Sequence, residues 1–358
     1  MKSAKIISSV LAVMLILTSC NSSNSQDTTT TATMTTTVAT TAATTTQPAP
    51  EFAKNPLTGE YTLDFDAEGK RPVAIMIDNI GSSSPQNAQI VQCGIGEADI
   101  VYETLVEGGI TRLMAVYSDP SKVSKIGPIR SARYSYVELA YGLDARYVHC
   151  GADDINATPL MNSLSMDNAN VMNSYGSYVS RISNGQSYEH TLYITGNSAA
   201  KIQSSGRSSL NENYVDLFEY NDKKVKYSQS GVRADISFSN QYVTNFVYDK
   251  SADTYKRYFN NRELKDYASG KNVCFDNIYI LFTTVSQIDS KGHMRSYLDS
   301  GSGYCLSGGT ATPITWEKGS AGRSLKFYDS DGNVLKRNPG NSYVGITSTE
   351  QKPNTTIQ

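Results

Sequence analysis

The ionisable residues best placed to do chemistry sit in the first half of the folded part, at the ends of short apolar runs, where the sites of α/β sheets are built. Asp78-Asn79 follow Val73-Ala74-Ile75-Met76-Ile77, and Glu103, Glu107 and Arg112 belong to two β-rich runs separated by Gly108-Gly109. Arg130 and Arg133 precede a helical pattern, His149 ends the run Tyr147-Val148, and Arg181 and His190 come later. Arg112, Arg130, Arg133 and Arg181 are candidate anion-binding residues, because a guanidinium fork matches phosphate or carboxylate with two parallel hydrogen bonds. Asp78, Glu103, Glu107, His149 and His190 are candidate acid/base groups. Arginines at a helix start oppose the partial positive charge there, so Arg130 and Arg133 call for a negative partner. Either a glutamate of the hairpin or a bound phosphate or carboxylate meets that need. His149 and His190 are two of only 3 histidines; each is either a reacting group or a hydrogen-bonded core residue. No Gly-x-Ser-x-Gly, His-Glu-x-x-His or phosphate-loop pattern accompanies them, so no catalytic set closes by itself and no cofactor is implied.

The elements that would position these groups alternate. Val73–Ile77 is a continuous apolar run of the kind a doubly covered strand shows. Runs 100–106 and 110–117 around Gly108-Gly109 predict a hairpin. A short strand ends near Ile126, and a helix is expected over 131–143, with Ser131 or Ser135 as its cap. A strand at Tyr147–Cys150, a helix over 154–164 and a strand at Leu192–Ile194 complete an α/β (or α+β) N-terminal domain with a mixed sheet over residues 51–215. From about Asp222 the rhythm changes to short β-rich runs at 243–248, 255–259, 273–284, 296–298, 314–317 and 325–328. Turn signals divide them, Gly301-Ser302-Gly303 among them. That rhythm predicts a mainly antiparallel β C-terminal domain over 222–347, with 348–358 a disordered tail.

The remaining segments speak about location. Lys2 and Lys5 precede an apolar stretch, Ile6–Leu17, too short to span a bilayer, which takes ~20 residues, but of signal-peptide proportions. It ends in Leu17-Thr18-Ser19-Cys20, similar to a lipobox, so 1–19 is expected to be removed and Cys20 to carry diacylglycerol, whose two chains suffice for stable anchoring. Between Thr28 and Thr46, thirteen of nineteen residues are Thr. Such a segment cannot bury enough apolar surface to offset its ordering entropy, and 20–50 is expected to be a disordered stalk. The formal charge is −2 and no Lys/Arg block stands out, which argues against nucleic acid as a partner. Cys93, Cys150, Cys274 and Cys305 lack C-x-x-C spacing, so no metal site is expected; one disulfide per half and buried free thiols both remain open.

From Arg71 to roughly Ile346 the chain resembles the YerB-like lipoproteins of Gram-positive bacteria, a family of two adjoining domains of unknown function. Arg71–Asn79, Ala98–Glu103, Val106–Arg112, Ile126–Arg133, Tyr147–His149 and His190–Tyr193 carry the resemblance in the first half. Tyr255–Tyr258, Gly301–Tyr304, Ile314–Trp316 and Asn338–Gly340 carry it in the second. Glu189 stands where the family usually has Pro, and Thr191 where it has Asn, which weakens any role for His190. The resemblance implies a lipid anchor on the outer face of the cytoplasmic membrane and a two-domain body. Together with the anion-binding residues, it leads us to expect a ligand-binding or accessory protein of the cell envelope, with a wall glycan or an envelope protein as partner. The alternative is a hydrolase or transferase acting on a wall glycan or phosphate-linked polymer. Ile110–Arg133 is similar to the LytR-CpsA-Psr wall-polymer transferases, whose arginines hold a lipid pyrophosphate, although Ser131 follows Arg130 where those enzymes have aspartate.

Overall fold

Val73–Asp78 forms strand β1, buried along its whole length. Its odd residues Val73, Ile75 and Ile77 belong to one apolar core and its even residues Ala74 and Met76 to another. A strand covered on both faces has no reason to alternate, hence the unbroken apolar run. The chain then makes the antiparallel hairpin β2 (Ile100–Leu105) and β3 (Thr111–Tyr117). Gly108 and Gly109 supply the positive φ of its turn, 69° and 73°, which other residues reach only with strain. Helix α1 (Tyr134–Tyr141), strand β4 (Arg146–His149), helix α2 (Ala157–Ser163), strand β5 (Asn168–Asn170) and helix α3 (Gly196–Gln203) complete the first half. β4 runs parallel to β1, and β5 parallel to β4. This is the expected mixed sheet.

The second half is mostly antiparallel strands: β6 (Arg233–Ser239), β7 (Tyr242–Asp249), β8 (Thr254–Phe259), β9 (Asn277–Thr283), β10 (Ser300–Ser307), β11 (Thr310–Glu317) and β12 (Ser342–Ser348). β11, β10 and β9 continue the sheet of the first half, because β12 lies between β9 and β2 and runs parallel to both. The result is one 11-stranded sheet, ending at β5 on one side. β6–β8 form the middle of a second, 6-stranded sheet. Side-chain alternation assigns α1 and α2 to the core of Ala74 and Met76, and α3 and the second sheet to that of Val73, Ile75 and Ile77. The main sheet is therefore a middle layer.

This computed structural model describes residues 50–211, 214 and 217–358. The signal peptide, Cys20 and all of the stalk except Pro50 lie outside the described residues. Several local expectations change. The helix expected over 131–143 starts at Tyr134, with Arg133 as an N-cap that makes no side-chain capping bond. Ser135 is no cap either, because its Oγ accepts a hydrogen bond from Ser296 N at 2.9 Å. The run 273–284 divides at Asp276: Cys274–Phe275 joins the second sheet and β9 the main one. Gly301-Ser302-Gly303 is not a turn but lies inside β10. A Cβ on Gly301 would stand 2.2 Å from Phe282 O, and one on Gly303 2.3 Å from Ile280 O, so these glycines serve close strand approach. Residues 348–358 are ordered, against the expected disordered tail. Ser348 caps a 3-10 helix at Thr349–Asn354, and Thr356–Ile357 pairs with the edge of β6. That open edge offers unpaired ladder groups, which the last residues satisfy.

Candidate functional site

β1 and β4 pair only through Ile75 and Val148. Beyond that point they splay, and residues 127–132 fill the gap. Asp78 N donates to Pro128 O at 2.8 Å and Arg130 N to Met76 O at 3.1 Å on one side. Cys150 N donates to Arg130 O at 3.0 Å and Ala132 N to Gly151 O at 3.0 Å on the other. This wedge at the carboxyl ends of two parallel strands brings Arg130 beside Asp78, and Arg133 to the start of α1.

Two ion-pair nodes meet there. In the first, the Glu107 carboxylate at the hairpin turn takes Arg112 Nη2 at 2.8 Å and Arg133 Nε at 2.8 Å. Burial would raise its pKa, but the Arg133 hydrogen bonds and the charges of both arginines bring it down to about 2. Glu107 is thus the negative partner that Arg133 at the helix start requires. Arg112 also donates to Ser131 O at 2.8 Å, and burial together with Arg133 lowers its pKa to about 10. In the second node, Asp78 Oδ2 lies 2.7 Å from His190 Nδ1 and 3.1 Å from Arg130 Nε. Its burial favours the neutral acid, yet the His190 hydrogen bond and Arg130 hold it below the usual carboxylate range. His190 Nε2 meets Gln86 Oε1 at 2.9 Å. Cross-strand pairing of Asp78 with Arg112 joins the two nodes.

The arginines differ in what they have left to offer. Arg112 and Arg133 are held by Glu107 and by carbonyls. Arg130 makes one aligned hydrogen bond, Nη1 to Glu189 O at 3.3 Å, and its buried Nε has none despite its closeness to Asp78. Arg181 uses only Nη1, toward Tyr188 O and Thr191 Oγ1, and stacks 3.6 Å from the Tyr188 ring centroid. Arg130 and Arg181 thus donate to the carbonyls of the adjacent residues Glu189 and Tyr188, and the two cations meet at one stretch of backbone. Tyr188, on which Arg181 stacks, is 71 % exposed.

Glu103 and His149 do not join this cluster. On β2, Glu103 points to the opposite face of the sheet from Arg112, as strand alternation requires. It is 0 % exposed and paired at 3.0 Å with Arg257, also 0 % exposed. Its oxygens further accept hydrogen bonds from Tyr343 at 2.7 Å, Thr111 at 2.7 Å, Asn79 at 3.0 Å and Thr244 at 3.1 Å. A carboxylate so enclosed is a tie between the two sheets, not the acid/base expected of it. His149 is a core histidine held by Gly151 O at 2.7 Å and Asn168 Oδ1 at 3.0 Å, and burial lowers its pKa. Arg257 was missed as a partner, although alternation in Tyr255–Phe259 puts it on the inward side with both aromatics. All four described cysteines are free thiols.

Comparison with known proteins agrees with this architecture. Residues 57–209 match the N-terminal domain, and residues 234–344 the C-terminal domain, of the family described as "Protein of unknown function (DUF3048)". A Bacillus subtilis (strain 168) protein named "Putative lipoprotein YerB" is 32% identical over 299 residues, covering 82% of this chain and 86% of its own. The crystal structure of the YerB protein from Bacillus subtilis superposes with a TM-score of 0.71 at 26% identity, covering 86% of this chain and 99% of that one. With both domains matched in order over most of its length, the chain belongs to the two-domain DUF3048 family and is a relative of YerB.

Proposed function

We propose that this chain is a lipid-anchored protein on the outer face of the cytoplasmic membrane, in an envelope of the Gram-positive type. There its first half binds an anionic group, phosphate or carboxylate, of an envelope polymer or partner protein. The anchor rests on Leu17-Thr18-Ser19-Cys20 and on the name carried by the Bacillus relative. Among the described residues no helix is long and apolar enough to cross a membrane. The Thr-rich stretch would hold the folded body clear of the headgroups.

One observation carries the binding role. Three arginines, Arg112, Arg130 and Arg133, gather around two carboxylates, Asp78 and Glu107, and the donors left over belong to Arg130 and to Arg181, which donate to the carbonyls of the adjacent residues Glu189 and Tyr188. An excess of guanidinium donors at strand ends is an anion site waiting for its second partner. The test is equilibrium binding of inorganic pyrophosphate to the full chain at low salt. We expect a Kd that weakens with salt and weakens at least about tenfold in Arg130→Gln/Arg181→Gln. Equal binding by the double variant would sink the proposal.

A further inference from the structure

Asp153, Asp289 and His293 come from two distant stretches of sequence and converge on one point. Asp153 precedes α2, while Asp289 and His293 lie in the tip joining strands Val285–Gln287 and Met294–Ser296. His293 Nδ1 stands 2.6 Å from Asp289 Oδ2 and 3.5 Å from Asp153 Oδ1. One ligand atom from each of the three residues lies within 4.8 Å of the other two. The side chains are 1 %, 8 % and 12 % exposed.

Each donor is held in place by its surroundings. Asp153 Oδ1 accepts from Ile155 N at 2.9 Å and Asn156 N at 3.3 Å. Asp289 Oδ1 accepts from Lys291 N at 2.9 Å and His293 N at 3.2 Å, which leaves Oδ2 turned toward the imidazole. Asn156 Nδ2 bonds that same Oδ2 at 2.6 Å and so ties the two stretches together. Orienting hydrogen bonds of this kind fix metal ligands before the ion arrives.

Charge supplies an independent observation. Among the described residues Asp153 and Asp289 have no Arg or Lys within 4.0 Å; their only ion-pair partner is His293. Two carboxylates that share one imidazole leave a net negative charge, which attracts a cation. A divalent cation in place of the Nδ1 proton, between all three donors, would neutralise it.

We propose that Asp153, Asp289 and His293 form a binding site for a divalent transition-metal ion, zinc in the first place. One imidazole nitrogen and two carboxylate oxygens suit zinc, with a water as fourth ligand. Calcium takes oxygen ligands only. The ion would rivet the Val285–Ser296 hairpin of the second half to the start of α2 in the first half.

The test is calorimetric titration of the metal-stripped full chain with ZnCl2, and separately with CaCl2, alongside thermal unfolding. We expect one zinc per chain, a Tm rise of at least about 3 °C at a hundredfold excess over Kd, and no comparable effect of calcium. His293→Gln, near the surface of the hairpin tip, should fold as the parent does and lose both signals, with zinc affinity at least tenfold weaker. Absence of stoichiometric zinc binding, undiminished binding by His293→Gln, or equal stabilisation by calcium would each overturn the proposal.

Discussion

Glu103 shows how a residue that looks like chemistry becomes structure. Its carboxylate and Arg257 are taken wholly out of water and balance one another, so removing one partner strands the other. Glu103→Gln is expected to cost about 3–5 kcal/mol, measured by urea unfolding; a loss below about 1 kcal/mol would mean that the pair contributes little. Glu107 offers a different test. Its pKa falls from 4.5 to about 2 in the folded state, so its contribution is complete above pH 4.5 and is lost as pH falls toward 2. That contribution is roughly 2 kcal/mol after allowance for partial solvent screening. Glu107→Gln should be less stable at pH 7 and should flatten the stability–pH curve between those limits; an unchanged curve would refute the assignment. Arg130 takes Asp78 and Arg133 takes Glu107, where the sequence left a hairpin glutamate and a bound ligand both open as the negative partner. The sequence did not separate Glu103 from these residues, since residue type and closeness in sequence say nothing about which face of a strand a side chain takes. The period-2 rule applied from Arg112 back through the hairpin turn would have needed the register of that turn.

At the level of elements, what was legible followed the apolar pattern, and what was missed followed backbone proximity. β1, the β2–β3 hairpin, α2, β7, β8 and β11 show in the periodicity and turn residues of the chain. β10 was hidden because glycine in sequence signals a turn, whereas Gly301 and Gly303 face the carbonyls of Phe282 and Ile280 across the sheet. Gly303→Ala would set its methyl against backbone that cannot swing aside, forcing β9 and β10 apart at a cost of about 1–3 kcal/mol. For a body of this size that is a fall of several degrees in Tm. Ala at Gly270, where nothing lies within 4 Å but φ is 70°, serves as the control for conformational strain alone and should cost less. If the two variants melt together, close strand approach is not what holds glycine at 303.

For the whole molecule, the decisive element is β12. The sequence divides at the change of rhythm near residue 222, and the two family matches divide there too. A reader of the sequence therefore expects two bodies, each with its own core. The backbone does otherwise: Ser342–Ile346 pairs with Ile100–Thr104 on one side, and Ser342–Ser348 with Asn277–Thr283 on the other. Such pairing is invisible locally, because parallel neighbours are joined by long crossovers and leave no turn signature. Its energetic consequence is that the first half alone would expose the edge of β2 and the apolar residues Tyr102, Val101 and Ile100, all buried here. It would also leave the Glu103 carboxylate without Arg257 and Tyr343. Unpaired strand edges and an uncompensated charge both oppose folding. We therefore expect residues 50–358 to unfold in a single calorimetric transition, with van't Hoff and calorimetric enthalpies equal. A fragment ending at residue 226 is expected to lack the near-ultraviolet circular dichroism of a packed core. Adding residues 227–358 in trans should restore it, because β12 would again fill the gap between β2 and β9. A fragment that folds cooperatively by itself, or two separate transitions in the intact chain, would show that the shared sheet joins two bodies that were already stable.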